Sequence, residues 1–258
     1  MSFGRCHLCE NLTELCDSHA IPDAHFRPML REGQGAAVSI CDDASTPVRR
    51  TSDTWSTDQL CIACERMLNE EYDSYGIAVF KGKQGRPKPI TDGVSFQDID
   101  AGRFRTFMLS VLWRMSTSVH TAYRNAQLPA GAKEELRITL LARGRYRDSK
   151  LHLALQRLHD STPRGGFAPE DFRSAVMSPF IRKSSNYYAV CFLMFGFLMR
   201  VFVPYLPAKE RKAVHLISAN STIVFAPRLE FVQFPELFSL CVNGLRKQVH
   251  GLSQLTDA

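Results

Sequence analysis

CHLC at residues 6–9 and LCIACE at residues 60–65 decide how the first part of this chain folds. Each Cys-x-x-Cys places two thiolates on one tight turn, close enough to share a tetrahedral metal. Two such knuckles complete a four-sulfur shell from Cys6, Cys9, Cys61 and Cys64. Thiolate softness selects zinc ahead of iron. The pairs lie 51 residues apart, a longer gap than a compact ribbon uses. His7 lies inside the first knuckle as a bystander. Cys16 and Cys41 are spares, either of which could replace a knuckle cysteine though neither has a paired neighbour, and Cys191 and Cys241 sit in apolar surroundings as small core residues.

Outward from the knuckles, residues 1–80 hold six of the eight cysteines and read as one zinc-binding module. Arg31 to Asp58, rich in Gly, Ser, Thr and Asp, reads as a long loop whose ends the metal closes. Residues 81–100 follow as a basic linker. Lys81, Lys83, Arg86 and Lys88 are exposed there, and Gly82, Gly85, Pro87 and Pro89 argue against regular structure.

Residues 101–258 read as a helical stretch and then a mixed α/β region. Phe104, Phe107, Met108, Val111, Leu112 and Met115 recur at helical spacing. Lys133–Leu141 reads as a second helix and Leu151–Leu158 as a third, ended by Ser161, Thr162 and Pro163. The runs at 190–203 and 221–234 are rich in β-favouring residues, the second with a bulge or edge at Pro227. Pro235 opens a closing helix that runs to Leu245. The fold class expected is α+β, with the zinc module at its N-terminus.

The chain has 258 residues, 45% hydrophobic and 22% charged, which is ordinary globular composition and enough for a sizeable core. A formal net charge of +6 permits a nucleic-acid partner without demanding one. No apolar stretch of secretory type opens the sequence, so a cytoplasmic location is expected, where paired cysteines bind metal rather than form disulfides. The uncharged run Tyr187–Met199 is shorter than the roughly 18–20 residues that span a bilayer, and no membrane partner is expected. Nucleophile elbows, a P-loop and a dinucleotide fingerprint are absent from the sequence. Arg143, Arg145, Arg147 and Lys150 form a short basic cluster around Tyr146, expected as a solvated loop.

After the first knuckle comes Asp17-Ser18-His19-Ala20-Ile21-Pro22, and after the second comes Glu65 at the start of a helical stretch. This order resembles the zinc-containing branch of the HNH endonucleases. In that family a Cys-x-x-Cys knuckle precedes an Asp-His-x-x-Pro segment, and a second knuckle starts the helix of a treble-clef, ββα-metal fold. The wider chain also resembles a group of uncharacterised bacterial proteins that share SHxIP, LCxxCE and a later LWRxS helix, here Leu112–Ser116.

The HNH resemblance implies His19 as general base and Glu65 as ligand to a catalytic Mg²⁺ or Mn²⁺, with Asp17 as a second ligand. Zinc would be purely structural. Ser18 stands where the family carries a metal-binding residue, and Asp17, one position off, would turn to the opposite face of a strand. The family's middle Asn has no counterpart in residues 56–59. The bland alternatives are a backbone-tied His19 and a Glu65 that simply favours a helix N-terminus. Trp113-Arg114 is expected on an apolar helix, with Arg114 paired to an internal carboxylate.

Two functions follow. One is a metal-dependent nuclease acting on DNA or RNA, in a setting such as anti-phage defence. The alternative is a catalytically inactive zinc-stabilised module that binds nucleic acid or a protein partner, for instance within a defence complex.

Overall fold

The computed structural model describes residues 2–43, 45–147 and 150–255. The N-terminal part opens with a short antiparallel pair, β1 (Phe3–Arg5) and β2 (Leu12–Glu14), that flanks the first knuckle. Strand β3 (Cys16–His19) runs into helix α1 (Asp23–Glu32). The stretch expected as a loop holds a second small pair, β4 (Ala37–Ser39) and β5 (Arg49–Thr51). Strand β6 (Ser56–Leu60) then returns antiparallel to β3. Helix α2 (Ile62–Leu68) follows Cys61 directly and passes through a π turn, Asn69–Asp73, into α3 (Ser74–Phe80).

The basic segment 81–100 departs from expectation. It forms an antiparallel hairpin, β7 (Arg86–Ile90) and β8 (Gly93–Gln97). Pro87 and Pro89 are tolerated because β7 is an edge strand, where a missing N–H costs no ladder bond. Gly93 lets β8 approach its other neighbour closely, since a Cβ there would lie 2.2 Å from the Ala226 carbonyl oxygen.

Helix α4 (Ala101–Thr117) is the axis of the molecule. Every residue from Phe104 to Ser116 is buried, as in a helix packed on all sides. Asp100 caps it by accepting from the Arg103 N–H. Helix α3 meets it closely at Gly76, where a Cβ would fall 2.0 Å from the Phe107 ring. Helix α5 (Ala130–Leu141) packs against α4 as the sequence pattern predicts.

Leu151–Leu158 is a strand, not the expected helix. From His152 on it belongs to β9 (His152–His159), inside a sheet of order β10-β11-β12-β9-β13-β8-β7. The other members are β10 (Met177–Lys183), β11 (Tyr188–Met194), β12 (Phe197–Val203) and β13 (Ile223–Glu230). Its leucines alternate: Leu153 and Leu155 join one core, Ala154 and Leu158 the other. That period of two, with β12 on one side and β13 on the other, overrides the helix-forming composition.

Strand β13 changes partner at the proline singled out from sequence. Pro227 ends the antiparallel pairing with β8, and Arg228 begins a parallel pairing with β9. Short helices α6 (Pro169–Arg173) and α7 (Ala208–Arg211) connect strands, and α8 (Pro235–Val249) closes the described chain.

One face of the sheet packs on α4 together with Leu8, Ile21, Phe26, Leu60 and Leu68 of the N-terminal part, in one continuous core. The other face packs under Phe234 and Leu237. No helix among the described residues is long and apolar enough to cross a membrane.

Candidate metal centre and the strand–helix site beside it

The knuckles meet because β6 ends beside the first turn. Its pairing with β3 slips by one residue at Gln59, and the Gln59 carbonyl accepts the His7 N–H at 3.0 Å. Cys61 then caps α2, and its N–H donates to Cys6 Sγ at 3.3 Å. The four sulfurs of Cys6, Cys9, Cys61 and Cys64 lie within 4.8 Å of one another. Cys9 Sγ and Cys61 Sγ are 3.9 Å apart. Four zinc–sulfur bonds of about 2.3 Å in a tetrahedron put sulfurs about 3.8 Å apart, so the cage has the size zinc needs.

The charge chemistry agrees. The contact between Cys64 and Cys6 holds the Cys6 thiol down at about 4 and pushes Cys64 well up. Four crowded thiols cannot all ionise without a cation, and a metal held by the four would supply it. His7 is not among the four ligands, and neither Cys16 nor Cys41 joins them.

Beside this cage three motifs separated in sequence converge. Ser18 of β3 is fully buried, while Asp17 is exposed, as strand alternation requires. Glu65 sits one residue beyond the last cysteine of the cage, in the first turn of α2. Burial pushes its carboxyl up, Asp73 adds to this, and Arg114 and the Ser18 hydroxyl oppose it. Its Oε2 is buried with no hydrogen-bond partner. Arg114 of α4 donates to Asp73 through both terminal nitrogens, at 2.8 and 2.7 Å, and to the His19 carbonyl at 3.1 Å. The internal carboxylate expected for Arg114 is therefore Asp73, which the π turn aims inward.

The His19 ring has a partner of its own. Its Nε2 lies 2.8 Å from Thr54 Oγ1. Burial lowers its pKa against the pull of Asp23 and Asp17, so the imidazole is neutral at pH 7. Thr54 is held by its neighbours. Asp53 Oδ1 accepts the Trp55 N–H at 2.8 Å, and Trp55 takes a φ of 57°, uncommon outside glycine. Its ring then packs among Phe26, His120 and Tyr123.

The cysteine cage is the only group of three or more metal-ligating side chains among the described residues, so His19, Asp17 and Glu65 do not close on one point. Thr54 and Asp73 were missed by sequence reasoning because neither belongs to a spaced motif. So was His25, which the same SHxIP stretch carries onto α1.

No family model, no curated protein and no solved structure matches this chain.

Proposed function

We propose that residues 2–80 form a treble-clef-type zinc module of the HNH kind, and that it hydrolyses phosphodiester bonds in nucleic acid. The observation that carries this reading is the facing of strand and helix. The Ser18 hydroxyl meets Glu65 beside the cage, Glu65 Oε2 is buried without a partner, and His19, next along the strand, is bonded to Thr54.

The roles follow from chemistry. With Nε2 donating to Thr54 Oγ1, Nδ1 of His19 takes a proton from the attacking water. Thr54 fixes the ring, and Arg114 fixes the strand by holding the His19 carbonyl. Glu65 Oε2, which has no partner in the protein, would offer a hard oxygen to Mg²⁺ or Mn²⁺. When bound, such a cation supplies positive charge for the leaving oxygen.

Cleavage of plasmid DNA, single-stranded DNA and RNA with Mg²⁺, Mn²⁺ or Ni²⁺ tests the proposal. His19→Ala is expected to lower the rate at least about 100-fold while zinc content stays unchanged. Zinc-loaded protein that cuts nothing with any metal would end the nuclease reading.

A second reading has its own support. Asp17 faces solvent, and among the described residues no group of three metal-ligating side chains includes Glu65. On that reading the module is catalytically inactive and binds nucleic acid or a protein partner.

A further inference from the structure

Helix α8 is held along one side and apolar along the other. On the inner side Leu237 packs on the sheet, and Gly244 meets Ile40, whose Cδ1 would lie 2.9 Å from a Cβ there. Buried Lys247 donates to the carbonyls of Cys41, Asp43 and Thr46 at 2.6, 2.6 and 2.8 Å. Glu236 accepts from Arg182 at 2.8 and 2.6 Å. These contacts fix the rotation of the helix about its own axis.

The outer side shows Phe238, Val242, Leu245 and Val249. At 3.6 residues per turn they fall within about 60° of arc. Phe238, Leu245 and Val249 are 41%, 64% and 82% exposed, and Val242 is half-buried. Leu252, 45% exposed, continues the spacing just beyond the helix. Arg246 is the one charge on this half of α8, where a solvated helix face is mostly charged or polar.

The steps of four, three and four residues between these side chains are those of a seam between two helices. They also read the same from either end. Two copies of α8 set antiparallel, about a two-fold axis between Asn243 and Gly244, bring Phe238 against the partner's Val249 and Leu245 against the partner's Val242. Each layer then joins a large side chain to a small one, as close packing requires. A parallel pair would set Phe238 on Phe238 and Val249 on Val249. On the flanks of the antiparallel pair Arg246 faces the partner's Ser239, and Cys241 faces the partner's Gln248, so no like charges meet.

The area also fits a second copy. With Pro235 the stripe leaves on the order of 500 Å² of apolar surface open, the scale at which a patch on a monomer marks an interaction site. A standard interface covers about 800 Å² per partner, and roughly 65% of a homodimer interface is apolar, which comes to about the same area.

We propose that the chain forms a homodimer through α8, antiparallel across this stripe. The proposal does not depend on the nuclease reading, because none of these residues takes part in that chemistry.

Light scattering on the eluting full-length, zinc-loaded chain tests it. At about 100 μM, above the micromolar Kd that interfaces of this size reach, the mass is expected to be twice that of the monomer. Leu245→Glu sets a charge in the seam and is expected to raise the dissociation constant at least about 100-fold. Its zinc content and far-ultraviolet circular dichroism should stay unchanged, since Leu245 is exposed in the single chain. Ser239→Glu reports the direction of pairing. It lies two turns from its own Arg246, about 10 Å away, and reaches only the partner's. Sedimentation equilibrium should show its dimer about 3-fold tighter at low salt, with the gain lost at high salt.

A wild-type chain that stays monomeric at that concentration would overturn the proposal. So would a dimer that Leu245→Glu leaves intact, which would place the contact elsewhere, or one that Ser239→Glu does not tighten, which would rule out the antiparallel register.

Discussion

The zinc end and the seven-stranded sheet share one continuous core, yet different forces hold them. In the sheet, β11 alternates Val190, Phe192 and Met194 on one face with Cys191 and Leu193 on the other, and apolar burial on both faces does the work. At the zinc end the strands are three to five residues long and pair two by two. Such ribbons are marginal alone. A four-cysteine cage of a size to hold zinc and one buried ion pair stand in for the missing sheet. The lesson is that a short-stranded region needs specific chemistry at fixed positions, whereas a long-stranded one needs only a pattern.

Removing the metal should break the two regions apart. Structural zinc contributes on the order of 10 kcal/mol to the fold around it. Cys64→Ser is expected to lose bound zinc, from one equivalent per chain to almost none by elemental analysis. Amide exchange should then become fast across β3, β6 and α2, while β11 and β12 stay protected. Equal loss of protection in both regions would mean that the sheet depends on the cage as much as the N-terminal part does.

The buried pair gives the next largest effect. Arg114 and Asp73 are 1% and 6% exposed at their side chains, so each fully desolvates the other. Breaking such a pair from one side costs about 3–5 kcal/mol, because a buried charge is left alone. Arg114→Met should therefore lower the denaturation midpoint sharply. The double variant Arg114→Met with Asp73→Leu should recover much of that loss, as apolar replacements often do. Strictly additive losses in this cycle would show that Arg114 acts mainly through the His19 carbonyl, which it also holds.

How much of this was legible in the sequence follows the same division. The cage could be read because cysteine spacing is itself the chemistry, and β11 and β12 could be read because their apolar runs are long. Leu151–Leu158 was misread because leucine, arginine and glutamine favour helices, and only pairing on both sides makes the segment a strand. The hairpin of residues 86–97 hid behind its prolines, which an edge strand accepts. At the strand–helix site, the exposure of Asp17 and an internal carboxylate for Arg114 could be anticipated. Thr54 and Asp73 could not, since a left-handed Trp55 and a π turn bring them in, and neither leaves a mark in residue spacing.

The joint between the two regions carries the smallest effect and the one most specific to pH. His25 of α1 is buried, with Nε2 3.1 Å from the Ala175 carbonyl and Nδ1 accepting the Phe195 N–H at 3.4 Å. Its ring also meets Phe195 edge-on, with centroids 4.7 Å apart. Phe195 belongs to the turn between β11 and β12, so this one imidazole ties the zinc end to the sheet. The Phe195 bond requires an unprotonated Nδ1, and burial pushes the His25 pKa down from 6.5 to about 4. Between those values the unfolded chain binds a proton that the folded chain refuses, so stability falls as pH drops from about 6.5 towards 4. The full loss is about 3 kcal/mol at the low end. Urea midpoints at pH 7 and pH 4.5 should show it. His25→Gln keeps a donor and an acceptor but cannot titrate, and is expected to flatten the profile over that window. A profile equally steep in His25→Gln would place the acid sensitivity elsewhere and leave the joint to the aromatic contact alone.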